Sequence, residues 1–325
     1  MSERDGSGVR QRFLMAAKPG AALWIGPLAL LGAVTIWGFV PTSTRHAVQF
    51  LTPGHILLAR FLMGALAAVI LLGLFRTPMP PRHLLPHAIG LGVLGQLGFN
   101  VPLAYGIQYV EAGTVSLISG VSPVFMAILA SLLLNEKIRA RVVIGLGLAL
   151  AGSALVAVAS GGEATLSREQ VVGSLLILLS AILWGLYSVV VKPWLGPIPP
   201  SSIPMLGSIA SLPLVVPLGA SGFASSLGRL DAVGWLAVAQ FTLLASVTAP
   251  ILWAVGLQRG QASQAGLFLY LVPLFGVASG ALLLGERVGA GTLAGGALIL
   301  GGVLLATLSV SMLRGRSSRV APTSI

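Results

Sequence analysis

Along its 325 residues the chain alternates long apolar runs with short polar breaks. A helix needs about 20 mostly apolar residues, rising about 1.5 Å each, to cross a bilayer. Ten such stretches fit, over 24–46, 53–75, 84–105, 111–134, 138–160, 171–193, 201–221, 230–255, 262–284 and 289–312. Pro, Gly or charge marks the breaks, as at Thr52-Pro53-Gly54, Asn135 to Arg141, Gly161 to Arg168 and Gly196 to Pro200; those around Glu111 and Arg259 carry the fewest polar residues. Barrel strands would be about 10 residues long with strict alternation, and no run has that pattern. The periodicity predicts an all-α membrane protein with ten transmembrane helices.

Composition strengthens this reading. Charged residues make up 8% and hydrophobic ones 56%, whereas a soluble domain carries about 25% charge. The absence of cysteine excludes disulfides, thiolate metal sites, iron–sulfur clusters and cysteine nucleophiles. A net charge of +11 would ordinarily suggest a polyanionic partner, but the cations form no patch, which argues against nucleic acid. They sort by side instead. With the N-terminus in the cytoplasm, 14 basic residues fall inside (Lys137, Arg139, Arg141, Lys192 and Arg259 among them) and 4 outside (Arg45, Arg168, Arg229 and Arg287), with Arg60 left within a span. This bias orients a multi-pass inner-membrane protein with both termini cytoplasmic. The first apolar run is too long for a secretory signal, and Trp37-Gly38-Phe39 is no small-residue cleavage site. The divisions are a tail over 1–23, a first five-helix repeat over 24–160, a connecting loop over 161–170, a second repeat over 171–312 and a tail over 313–325.

The repeat is visible in the residues. Segments 105–138 and 255–288 align without a gap, pairing Gly106 with Gly256, Gln108 with Gln258, Ala112 with Ala262, Pro123 with Pro273, Phe125 with Phe275 and Glu136 with Glu286. The match continues through Gly145/Gly295 and Gly152/Gly302, and Ile36-Trp37-Gly38 matches Leu183-Trp184-Gly185. Five helices per copy is an odd number, so the second copy enters the membrane with opposite polarity. Inverted repeats of this kind are characteristic of secondary transporters, whose substrate binds where the halves meet. A duplicated structural protein or a channel is the alternative.

The doubled phrase, a Pro-[Leu/Val]-Phe followed by Leu-Leu-Leu-x-Glu-[Lys/Arg] and then a Gly-rich helix, resembles the EamA family of the drug/metabolite transporter superfamily over about residues 24–312. The resemblance implies export of small metabolites by alternating access. Within the family the chain resembles the YddG-type exporters of aromatic and other amino acids.

Polar and aromatic residues deep in the spans are the candidate chemistry, because polar groups in lipid face a cavity or a partner helix. Gln96 and Asn100 are one helical turn apart, near Pro102; Ser246 and Thr248 precede Pro250 in the matching span. A proline inside a helix frees a carbonyl that something else must satisfy. These groups either line a cavity or hydrogen-bond between helices. Trp37 and Trp184 lie about 20 Å deep at helical rise, as core packing or as walls of a substrate cavity, with Tyr187 on the Trp184 face and Pro41 on the Trp37 face. Ser119 and Tyr270 complete the expected substrate-binding set. Pro123 and Pro273, halfway along their spans, are expected hinges, with a static kink as the alternative. Arg60 either snorkels or packs structurally, or contacts an anionic group of the substrate.

All eight carboxylates fall at span ends, in loops or in the tail, which weighs against a cation pump built on a mid-membrane glutamate. Glu136 and Glu286 are expected to cap and anchor helix ends. No phosphate loop, metal cluster or catalytic triad is apparent, so the reading includes no cofactor, no metal and no enzymatic activity. The expected partners are the lipid bilayer and a small-molecule substrate, an amino acid or similar metabolite. An exporter of other metabolites or drugs, or a passive channel, is the alternative; the residues leave coupling and oligomeric state open.

Overall fold

The computed structural model describes residues 22–73, 78–110, 115, 118–159, 167–285 and 288–307. Residues 1–21, 160–166 and 308–325, with Glu111 and Glu286, lie outside them. The described residues are helical, without a strand. In order, the helices are α1 (Ala22–Gly38), α2 (Val40–Ala47), α3 (Pro53–Gly73), α4 (Leu85–Val93), α5 (Phe99–Gly106), α6 (Ser122–Leu134), α7 (Ala140–Ala159), α8 (Arg168–Val190), α9 (Ser202–Gly219), α10 (Phe223–Leu227), α11 (Ala232–Ala239), α12 (Ala249–Arg259), α13 (Ala262–Phe268), α14 (Leu271–Leu284) and α15 (Ala290–Thr307). Wide π turns join α4 to α5 over Leu94–Gly98 and α11 to α12 over Gln240–Thr248.

Seven stretches among the described residues are long and apolar enough to cross a membrane: Trp24–Ala47, Pro53–Gly73, Arg82–Gly106, Arg168–Val190, Ser202–Gly219, Ala232–Arg259 and Ala262–Leu283. Three shorter apolar helices, Ser122–Leu134, Ala140–Val156 and Ala290–Ala306, pack with them. Large side chains such as Leu66, Leu132, Leu236 and Leu282 stand exposed. So much apolar surface on a helical bundle suits lipid contact, since each helix satisfies its own backbone.

Local sequence explains the ends. Ser167 and Gln170 form a reciprocal capping box at the start of α8, satisfying two otherwise orphaned donors. After α6 and α14 the chain turns through left-handed conformations at Asn135 (φ 52°) and Gly285 (φ 68°), residue types that tolerate that region. Pro27, Pro102, Pro213 and Pro217 lie inside helices, whereas three other prolines fall where helices break. α1 stops at Gly38 just before Pro41, Pro123 sits in the first turn of α6, and Pro273 follows the turn at Leu269–Tyr270 that separates α13 from α14.

Packing follows a crosswise rule. α7 lies against α15, α3 against α9, and α6 against α13; α1 packs on α12 and α14, as α8 packs on α5 and α6. Glycines set the closest approaches. A Cβ added at Gly145 would lie 2.6 Å from the Gly302 carbonyl, and one at Gly152 would lie 2.5 Å from that of Gly295. The repeat pairs Gly145 with Gly295 and Gly152 with Gly302, so each glycine meets the other's counterpart. Two antiparallel helices related by a local twofold axis have that geometry.

Candidate functional site

The π turn over Gln240–Thr248 is the centre of the site. Pro250 has no N–H, and the wide turn shifts its neighbours, so carbonyls at residues 245 and 246 lack their usual helical donors. Side chains from the first half take them up. Trp37 Nε1 donates to Ala245 O at 3.0 Å, and Gln96 Nε2 donates to Ser246 O at 3.1 Å. Arg60 Nε donates to Ser246 Oγ at 2.9 Å, and that hydroxyl donates to Phe241 O at 2.8 Å. In return Gln240 Nε2 donates to Ile36 O at 3.0 Å, beside the break that ends α1. Gln96 also belongs to a π turn, and its carbonyl accepts from Asn100 Nδ2 at 2.7 Å.

Arg60 has no ion pair among the described residues. Its guanidinium is therefore a cation within a span whose recorded partner is a neutral hydroxyl. Five buried side-chain oxygens also lack partners among the described residues: Asn100 Oδ1, Gln240 Oε1 and the hydroxyls of Tyr270, Ser153 and Ser211.

An aromatic cluster lies alongside. The rings of Trp37 and Trp184 meet edge to face at 5.2 Å, and Trp253 contacts both, at 5.6 and 5.9 Å. Phe99 and Tyr187 extend the cluster from Trp184 at 5.1 and 5.4 Å. Tyr187 packs on the bare backbone of Gly95, where an added Cβ would come within 2.6 Å of the ring. Trp253 Nε1 reaches Ser188 Oγ at 3.2 Å. The structure thus joins Trp37, Gln96, Asn100, Trp184, Tyr187, Ser246 and Arg60 into one contiguous region. Tyr270 is buried in the same apolar core as the tryptophans. Ser119, half-buried, forms no hydrogen bond to this region among the described residues.

Two contributors escape sequence reading. Counting closes the eighth span at 255 and leaves Trp253 near its rim; the helix instead runs to Arg259, one turn further, and Trp253 is fully buried. Gln240 has glycine, Gly90, at the matching position of the first half, so the repeat does not point to it.

Glu136 lies at one end of the bundle. It accepts from Lys192 Nζ at 2.6 Å, from the N–H groups of Ala262 and Ser263 at 2.9 and 3.1 Å, and from Ser263 Oγ at 2.8 Å. Burial alone would raise its pKa, but these donors outweigh it and hold the carboxyl below the ordinary range. It caps a helix as expected, but one in the opposite half. Gln258 Nε2 hydrogen-bonds to Leu195 O close by.

The chain matches the EamA-like transporter family over residues 24–158 and 171–308. An uncharacterized transporter of Archaeoglobus fulgidus is 27% identical, with 86% of this chain and 97% of that protein covered. A probable terminal-alkyne amino-acid exporter of Streptantibioticus cattleyicolor is 28% identical over 89% and 94%. A probable amino-acid metabolite efflux pump of Salmonella typhimurium is 26% identical over 86% and 93%. One solved crystal structure shares the fold with a TM-score of 0.72 at 21% identity, covering 89% of this chain and 97% of that one.

Proposed function

The chain belongs to the EamA-like transporter family, and from that premise we propose that it is a secondary carrier exporting small metabolites, amino acids foremost. Two of its relatives are named as amino-acid exporters or efflux pumps. The proposed architecture is ten helices in two inverted five-helix repeats over 24–160 and 171–312, in the inner membrane with both termini cytoplasmic. The crosswise glycine contacts between α7 and α15 support the inversion.

The observation that carries the reading is Ser246. Its hydroxyl and carbonyl hold Arg60 and Gln96 of the first half against a proline-loosened turn of the second. Polar ties between halves, next to an aromatic wall, suit a site that must bind a small polar molecule and let the halves move. Trp37, Gln96, Asn100, Ser119, Trp184, Tyr187, Ser246 and Tyr270 are its proposed lining, Arg60 its contact for an anionic group, and Pro123 and Pro273 its hinges.

Uptake of labelled amino acids into proteoliposomes, with and without a pH gradient, tests this. Saturable flux with counterflow is expected, reduced at least tenfold by Trp37→Ala or Trp184→Ala. Flux linear to high millimolar concentration would mean a channel; no movement of any amino acid in either condition would remove the substrate assignment and leave the family intact.

A further inference from the structure

The last turn of α6 ends on a cavity of about 700 Å³ that opens at the surface of the bundle. Leu134 and Lys137 line it from the end of α6, Lys192 from the turn after α8, and Gln261 from the start of α13. It therefore lies between the two halves, next to the Glu136 contacts. Just before it, Leu132 and Leu133 are 71% and 53% exposed, a surface suited to acyl chains. Lys137, also exposed, follows Leu133 by four residues. The cavity thus sits where an apolar helix face gives way to charge, which is the level of lipid headgroups.

The donors left over around it are cationic. Glu136 borders the cavity too, but its Oε1 accepts from Lys192 Nζ and Ala262 N, and its Oε2 from Ser263 N and Oγ. Lys192 has three N–H donors and gives one to Glu136, which leaves two. Lys137 has no ion pair among the described residues. Glu169 and Asp231, the other described carboxylates, stand at the starts of α8 and α11. The repeat adds a contrast: Lys137-Ile138-Arg139-Ala140-Arg141 aligns with Arg287-Val288-Gly289-Ala290-Gly291, so two arginines of this copy are glycines in the other. A topological bias accounts for cations anywhere on this side of the membrane. It does not account for a cavity that gathers two lysines between helices.

We propose that this cavity binds an anionic phospholipid, with Lys137 and the two remaining donors of Lys192 on the phosphate and the acyl chains along Leu132 and Leu133. Lysine binds phosphate as a point charge, and basic pockets between spans hold anionic headgroups. A zwitterionic headgroup brings its own cation to the same lysines and cancels the attraction. The bound phosphate joins α6 of the first half to the Lys192 turn of the second, and so tightens the end that Glu136 already holds.

Thermal unfolding of the purified full chain in detergent tests this, because a ligand of the folded form raises the midpoint in proportion to ln(1 + [L]/Kd). The probes are phosphatidylglycerol, phosphatidylcholine and inorganic phosphate. Phosphatidylglycerol should raise the midpoint saturably, and the other two at equal concentration should leave it in place. Lys137→Gln should weaken the apparent affinity for phosphatidylglycerol about fivefold, and adding Lys192→Gln should abolish the shift. Lys137→Arg, which keeps the charge, should retain it. Arg168→Gln, the same loss of charge at the far end of α8, should match the wild type. Equal shifts from the two lipids, or an effect of Arg168→Gln as large as that of Lys137→Gln, would mean diffuse attraction and overturn the site. A shift by inorganic phosphate as large as that by phosphatidylglycerol overturns the lipid as its occupant. No transport is measured, so failure here leaves the carrier reading standing.

Discussion

Glu136 and Asp231 tie the two halves together at opposite ends of the bundle, under different conditions. The stretch Ala232–Arg259 runs from one to the other, starting at Asp231 and ending next to the turn that Glu136 caps. Glu136 has an 8% exposed side chain and four donors from the second half. Asp231 has a 52% exposed side chain; it caps its own helix through Gly234 N at 2.7 Å and, among the described residues, reaches across to His46 Nε2 at 2.8 Å. Both carboxyls are held below their ordinary pKa, Glu136 by its donors against the effect of burial and Asp231 chiefly by the Gly234 N–H and then His46. A similar direction of shift therefore conceals a difference in worth. Donors that exclude water give a charge little alternative, whereas water replaces an exposed partner at little cost. The Glu136 end is a fastening, and the Asp231 end is a cap with a loose contact.

The largest effect expected from this contrast is at Glu136. Glu136→Ala leaves the Lys192 ammonium and two backbone N–H groups at the start of α13 without their acceptor, and should cost about 3 kcal/mol. The measurement is the thermal midpoint in detergent. Lys192→Met is expected to be milder, about 1 kcal/mol, because the carboxylate keeps three donors at a helix N-terminus, where a negative charge is favoured. If the two substitutions lowered the midpoint equally, the ion pair rather than the helix cap would be what holds this end.

Spacing explains which of these features can be read from sequence. Span positions are read from run length and the repeat from residue identity; among the described residues seven of the runs are helices long and apolar enough to cross a membrane. Pro250 beside Ser246 also signals freed carbonyls, because the missing N–H is written in the residue type. What accepts them is not, since Trp37 and Gln96 come from 208 and 150 residues away. Glu136 is legible as a capping residue, but its partners include the backbone N–H groups of Ala262 and Ser263, which no side chain advertises. Trp253 is lost to a boundary set four residues early. Wide π turns further shift the face each residue presents, so a regular 3.6-residue period cannot place Gln240 or Ser246 against their neighbours.

Acid titration separates the two ends at the smallest scale. A carboxyl whose folded pKa is depressed contributes its full stability above its unfolded value, near 4 for both types, and loses it as pH falls through the folded value. Stability should therefore be flat from pH 7 to about 5 on account of these groups and decline below. Glu136→Gln should flatten that decline measurably. Asp231→Asn should leave both the pH 7 midpoint and the acid limb within error, since asparagine caps a helix about as well as aspartate and the His46 contact is open to solvent. Asp231→Ala, which removes the cap itself, is the control that separates the two roles. A midpoint lowered by Asp231→Asn as much as by Asp231→Ala would mean that His46, not the helix start, is what Asp231 holds. The contact between the halves at that end would then be a fastening as well.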